Sequence, residues 1–295
     1  MTAININQQT IPFSKTTYKT IPFHTMDTSK LSLVKVKDDK SGLFRFFLTY
    51  DYSLFIMEIG DDDSADDKRF YTYGLKKCTE YDGNIKKFTD VWNGEYEFGI
   101  KMISAPIPPT STNACDYMTA HEKKLKDVLD AMREAIAEGL MAFDEIRDGN
   151  VVSPLYSQTR KKGPDGLPIK SKGTYVADQT KSYNLNCKCK SKLVNGLKYT
   201  KGMKIRPEDR EIDTFINSFS MKELKPELIL GKHAKGVFFM VINEVKIINS
   251  TVKPKLQVNR ALLQLLVNST PNIDVSKYTQ KYATMEMEEE DFTQE

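Results

Sequence analysis

The chain has 295 residues, 40% hydrophobic and 10% aromatic, which excludes a disordered or fibrous polymer and provides apolar mass for one elaborated domain or two small ones. Its formal net charge is only +3, yet thirteen Lys and Arg stand against two Asp between Val151 and Arg206, while Met285–Glu295 carries six acids and no base. The opening run "MTAININQQTIPFSK" has neither the positive start nor the apolar core of a secretory signal, and no apolar run approaches the roughly 18 residues of a membrane span; a non-secreted, intracellular protein without a membrane partner is expected.

Residues 1–30 are polar and lack apolar periodicity, so they read as a flexible arm, packed only around "TIPFHT". "KLSLVKVK", "LFRFFLTYDYSLFIMEIG", "RFYTYGLKKC" and "GEYEFGIKMI" are aromatic and β-branched runs bounded by turn residues, and they predict four strands. In the last of them Tyr96, Phe98, Ile100 and Met102 alternate with polar positions. "DDDSADD" between the second and third is a solvated hairpin tip, since it lacks the glycine and the final glutamate of a calcium loop. After the proline-rich break "SAPIPPTSTN", Thr119 and Glu122 form a capping box for a long amphipathic helix with Leu125, Val128, Leu129, Met132, Ile136, Leu140, Phe143 and Ile146 on one face and Gly149 as its stop. The basic region follows, then a short helix over Asp209 to Leu224, a strand in "GVFFMVINEVKII", and a last segment "PKLQVNRALLQLLV".

This order predicts a mainly β protein with helices (α+β), laid out like an elaborated OB-fold barrel with one long amphipathic helix inserted between strands, the third and the fourth. Residues 31–284 would form that domain and 285–295 an acidic tail.

Within the basic region, "SYNLNCKCKSKL" alternates Leu185, Cys187, Cys189 and Leu193 with Lys188, Lys190 and Lys192. Zinc needs two ligand pairs at finger-like spacing, and Cys-x-Cys with the distant Cys78 and Cys115 and the scattered His24, His121 and His233 supplies one poor half, so no metal is expected. A strand explains the pattern better, with free thiols and leucines in the core and a row of lysines outside. The preceding stretch, "YSQTRKKGPDGLPIKSKGTYVADQTKSY", is a loop of about 28 residues, long enough that a function or disorder is expected. It mixes Tyr156, Tyr175 and Tyr183 with Arg160, Lys161, Lys162, Lys170, Lys172 and Lys181, and "LKYTKGMKIR" adds Lys198, Tyr199, Lys201, Lys204 and Arg206. Lysines attract phosphates whatever the sequence, and an exposed ring stacks on an unpaired base, worth about 1–3 kcal/mol each. These residues, with Lys188, Lys190 and Lys192, are the candidate nucleic-acid contacts; tyrosines that only pack the barrel are the alternative reading.

No catalytic group or cofactor is expected: three histidines make a triad improbable, no phosphate-binding glycine pattern is present, and Asp61, Asp62, Asp63, Asp66 and Asp67 crowd one turn without a second acidic element. Phe292 stands among the acids of the tail as a candidate anchor for partner proteins.

The element order, "VVSPLYSQTRKKGPDG" after the helix, "GVFFMVINEVKIINSTVKPKLQVNRALL" near the end and the acidic, aromatic-containing tail resemble the single-stranded-DNA-binding proteins of large nucleocytoplasmic DNA viruses, a family similar to the replication single-strand-binding proteins of podophages. The likeness spans about residues 35–295. It implies an OB barrel that holds single-stranded DNA on a basic, aromatic surface during replication, repair and recombination, at viral replication sites in the host cytoplasm or in the nucleus. It also implies a tail that regulates binding and recruits a polymerase, helicase or primase, and it is compatible with a homodimer or a cooperative oligomer on DNA. In the podophage proteins the aromatic residue is the last one, whereas Phe292 is followed by Thr293, Gln294 and Glu295, which argues against a terminal-carboxylate pocket. An RNA-binding or transcription-associated OB module, or a virion structural or genome-packaging protein, would carry a similar surface.

Overall fold

Alternation of apolar and polar residues builds most of this chain, and each strand with one buried and one open face must find a neighbour for the buried one. The computed structural model describes residues 2–4, 10–12, 18–37, 43–60, 68–82, 87–145, 152–172, 174–189, 191–194, 197–200, 203–205, 230–242, 244–248, 251–252, 254 and 256–266. In chain order the strands are Thr2–Ile4 (β1), Thr10–Pro12 (β2), Tyr18–Pro22 (β3), Leu31–Lys37 (β4), Phe44–Tyr50 (β5), Leu54–Ile59 (β6), Phe70–Asp82 (β7) and Lys87–Lys101 (β8), followed by the helix Ala120–Ala142 (α1). Then come Ser157–Gln158 (β9), Lys170–Ser171 (β10), Thr174–Tyr175 (β11), Tyr183–Cys189 (β12), Ser191–Val194 (β13), Leu197–Thr200 (β14), Met203–Ile205 (β15), Ala234–Ile242 (β16), Ile247–Ile248 (β17), Thr251–Val252 (β18) and Leu256–Leu265 (β19). Among the described residues the protein is mostly β with one long helix, and none of these helices is long and apolar enough to cross a membrane.

Five strands close into a barrel. β7 pairs β8, β8 pairs β12, β12 pairs β19, β19 pairs β16 and β16 returns to β7; only the β12–β19 contact is parallel. Counted first to fifth along the chain, the order around the barrel is 1-2-3-5-4-1. Phe98, Ile100, Leu185, Cys187, Phe238, Met240 and Val258 fill the interior, where the Phe98 and Phe238 rings meet edge to face at 5.7 Å and the Cys187 thiol lies 3.7 Å from the Met240 sulfur. Burying a thiol and a thioether there is consistent with both acting as small hydrophobes. β6 and β3 extend the sheet past β16, and the second sheet runs β2-β1-β4-β5.

The helix α1 packs on β4 and β5, and its approach is close: a Cβ at Gly139 would lie 2.4 Å from the Leu33 Cβ. Its start follows the capping-box chemistry, with the Glu122 N–H donating to Thr119 Oγ1 (3.2 Å) and the Thr119 N–H donating to Glu122 Oε2 (2.8 Å). The remaining oxygen of this buried carboxylate accepts the Ser104 N–H at 2.6 Å, so Glu122 ties the helix to the chain leaving β8.

Several expectations are corrected. The helix ends at Ala142, capped by Phe143, because Asp144 turns into the left-handed region (φ 56°); Ile146 and Gly149 lie outside the described residues. It sits between the second and third barrel strands, not the third and fourth, and the predicted helix over residues 209–224 lies outside the described residues. "LFRFFLTYDYSLFIMEIG" is two strands, β5 and β6, broken where Asp51 and Tyr52 both take positive φ (49° and 56°). The 236–248 run likewise divides into β16 and β17, and "PKLQVNRALLQLLV" supplies the fifth barrel strand. The "DDDSADD" turn lies outside the described residues.

Toward the amino terminus, β1 and β2 pair with each other and β1 with β4, while β3 runs parallel to β6 and Phe23 is fully buried. Phe23 lies against His121 at the start of α1 (4.6 Å between rings), and Phe70 stacks on that imidazole at 5.4 Å while meeting Phe23 edge to face at 6.0 Å. Burial is the main reason that His121 holds its proton less tightly than an ordinary histidine; a hydrogen bond to the Lys68 backbone opposes it, and Lys68, His24 and Glu122 are the charged groups nearby. The unfolded chain therefore takes up this proton more readily. The stability linked to His121 is complete above the ordinary histidine value of about 6.5 and is lost as pH falls through the lower folded-state value. His121→Phe should accordingly flatten the decline in melting temperature between pH 7 and 5; parallel declines for parent and variant would dismiss His121 as its source.

Candidate nucleic-acid interface

Alternation gives β7, β8 and β12 two faces, and the chemistry lies on the outward one. Tyr96, Phe98 and Ile100 of β8 and Leu185 and Cys187 of β12 point into the barrel. Outward, the register sets up three rows. Glu97 is the partner of both Lys76 and Lys188, with the Lys76 ammonium 2.9 Å from its carboxylate. Lys101 lies between Tyr71 and Asn184. In the middle row Gly99 pairs with Asn186, and the Tyr73 ring lies on its other side. β16 widens the face, since Lys235 partners Tyr71 with its ammonium 4.7 Å from that ring, and His233 meets the Tyr73 ring edge-on at 5.8 Å. Four lysines and three rings thus share a surface on which Glu97 is the one acid among the residues named. Such a surface suits a polyanion with aromatic faces.

The region expected as a long loop is folded as a meander. β9 attaches it to the barrel by pairing Ser157 and Gln158 with Asn184 and Tyr183 of β12, and the Asn186 amide donates to Ser157 Oγ at 3.4 Å. Beyond β9 the chain doubles back through bridges at Arg160–Ala177 and Lys162–Pro168 and through the β10–β11 pair. Its two acids make turns: Asp165 accepts the Leu167 N–H at 3.0 Å, and Asp178 accepts the Thr180 hydroxyl and N–H at 2.6 and 3.0 Å, which hold its carboxyl below the ordinary range. Positive charges outnumber these two acids on the surface. Lys161, Lys162, Lys172 and Lys181 are exposed, and so is Tyr175, with the Arg160 guanidinium 3.9 Å and the Lys170 ammonium 4.8 Å from its ring centroid.

Tyr156 and Tyr183 have a different place. Their rings meet edge to face at 5.4 Å under the helix, and the Tyr156 hydroxyl donates to Asp130 (2.8 Å), whose other oxygen takes the Lys126 ammonium at 2.8 Å. The Tyr183 hydroxyl lies 3.1 Å from the Cys115 sulfur. Burial raises the pKa of both phenols, and the Asp130 hydrogen bond raises that of Lys126. These two tyrosines clamp α1 to β12 and the meander; their geometry is that of packing.

The lysine row does not run as a single strand. β12 stops at Cys189, and Ser191–Val194 pairs separately with β14, where Lys192 partners Tyr199 and Leu193 partners Lys198. Lys188 is half-buried on β12, and Lys204 is in β15, opposite Leu262. Lys190, Lys201, Arg206 and Phe292 lie outside the described residues. Sequence reading missed Tyr71, Tyr73, Lys76, Lys101, Asn186 and Lys235. The signal was the outward half of each strand's alternation, spread over four strands from β7 to β16, whereas the eye is drawn to charge that clusters locally. Compared with protein-family models and with curated proteins, the chain finds no match in either.

Proposed function

We propose that this chain is a non-enzymatic single-stranded-DNA-binding protein built on an elaborated OB-fold barrel. The observation that carries the reading is the outward face of the second and third barrel strands, the face with which OB folds hold oligonucleotides. Here it presents Lys101, Lys188 and Asn186, with Tyr73 and Lys76 alongside on the first strand and the Arg160–Tyr175–Lys170 cluster on the adjoining meander. The 1-2-3-5-4-1 strand order supports the OB assignment, whereas the position of α1 before the third strand departs from the usual plan. Rings that stack and lysines that meet phosphates read no base sequence, so binding is non-specific.

By its resemblance to the viral and podophage proteins, the chain acts in viral DNA replication, repair and recombination. Its acidic tail then competes with DNA for the basic face and carries Phe292 to a polymerase, helicase or primase. Gel-shift competition between an unlabelled single strand, duplex DNA and RNA of equal length tests the reading. The single DNA strand should compete best, because a duplex hides its base faces. Equal competition by all three would favour a genome-packaging role, and preference for RNA an RNA-binding module.

A further inference from the structure

Tyr73 is the exposed ring whose position the backbone specifies most fully. β7 and β8 fall out of register between Thr72 and Leu75, a bulge that inserts Tyr73 and Gly74 opposite Gly99. Gly74 has φ 82°, and a Cβ there would lie 2.2 Å from the Lys232 carbonyl oxygen, so this turn of the bulge admits glycine alone. The buried Thr72 hydroxyl donates to the Gly99 carbonyl (2.9 Å) and accepts the Gly74 N–H (3.1 Å), locking the bulge to β8. Gly99 supplies the seat: a Cβ built on it would be 3.6 Å from Tyr73 Cδ2 and 3.6 Å from Asn186 Oδ1, so the ring and the carboxamide flank the same bare stretch of backbone.

A ring placed for core packing would be covered, as Tyr96 is at 1% exposure; Tyr73 remains 46% exposed despite its seat. Its neighbours Asn186 and His233 are polar, and partial burial raises its phenol pKa. Tyr156 and Tyr183, by contrast, have their hydroxyls engaged and their rings against each other.

Resting on the single-strand-binding reading, we infer that Tyr73 is a preformed base-stacking step: its ring, seated on Gly99 by the β7 bulge, receives an unpaired base of the bound strand. Because the ring is already fixed, stacking requires little further ordering of the protein. Continuity runs from Tyr73 across Gly99 and Asn186 to Ser157 and so into the meander that bears Tyr175, giving the strand a path with a stacking ring toward each end.

The test uses the full chain and a fluorescein-labelled oligothymidylate. Tyr73→Ala should weaken binding about 5- to 150-fold, the range for losing one stacked base, and leave the slope of affinity against salt unchanged, since no charge is lost. Tyr73→Phe should bind as the parent does. Tyr73→Trp adds a second indole to the single native Trp92, and its emission should be quenched by the oligonucleotide beyond any change the parent shows. Parent-like affinity of a folded Tyr73→Ala, or no added quenching in Tyr73→Trp, would overturn the inference while single-strand binding itself stood. A parent chain that bound no single strand would remove the underlying reading, and this step with it.

Discussion

Raising salt from 50 to 200 mM should weaken binding of the parent chain to an unpaired oligonucleotide roughly a hundredfold. Each phosphate neutralised on a single strand contributes about 0.7 to the slope of log affinity against log salt, so about five such contacts give a fall of this size over a fourfold change. Positive charge lies on both parts of the surface: Lys101, Lys188 and Lys235 on the barrel, and Arg160, Lys161, Lys162, Lys170 and Lys172 on the meander. Lys76 makes an ion pair with Glu97 at 2.9 Å and is left unchanged in the variant below. Replacing Lys101, Lys188 and Lys235 together with alanine should lower the slope by about two, whereas Tyr73→Ala should lower the affinity and leave the slope alone. Two variants with opposite signatures separate phosphate contact from stacking on one face. A triple variant with the parent's slope would leave these lysines as ordinary solvated charge and move the binding surface elsewhere.

How far the sequence spoke depends on the range over which its signals act. The capping box of α1 was legible because Thr119 and Glu122 are three residues apart and satisfy each other's backbone locally. The inward faces of β8 and β12 were legible because alternation over five residues admits one registration, and Leu185 and Cys187 are buried on it. The helix end was not legible because a non-glycine residue, Asp144, takes the left-handed turn, five residues before the glycine expected as the stop. The break after Cys189 failed because Lys190 leaves the composition unchanged while the pairing partner switches from β8 and β19 to β14. The candidate site was half legible. Charge density marked the meander, where Arg160, Lys170 and Tyr175 do come together, but density says nothing about which tyrosines pack against the core, and Tyr156 and Tyr183 do so, partly buried. The barrel face was illegible locally, since Tyr73, Gly99, Asn186 and Lys235 share a face only through the pairing of four strands, β12-β8-β7-β16.

Gly74→Ala should produce the larger loss of stability among the glycine variants, and it should remove binding along with it. Forcing an alanine to φ 82° costs about 1–2 kcal/mol by itself. The new methyl group must also displace the Lys232 backbone, whose carbonyl oxygen would be 2.2 Å away and whose nitrogen 2.7 Å away, in a segment already fixed by the Gly231 N–H donating to the Leu75 carbonyl at 2.8 Å. Neither contact is the mobile end of a side chain, so the bulge itself has to move, and a total of about 3 kcal/mol is expected, or roughly 6–12 °C in melting temperature for a domain of this size. Gly231→Ala is the internal control: its φ of 69° carries the same conformational cost, but a Cβ there meets nothing within 4 Å, so about 1–2 kcal/mol is expected. Both should be measured by thermal unfolding and by affinity for an oligothymidylate. Since Gly74 sets the bulge that seats Tyr73, its variant should lose affinity by at least as much as Tyr73→Ala even at a temperature where it remains folded, while Gly231→Ala should bind as the parent does. Equal melting temperatures for the two glycine variants would show that the Lys232 backbone yields freely and that the bulge does not hold Tyr73 in place.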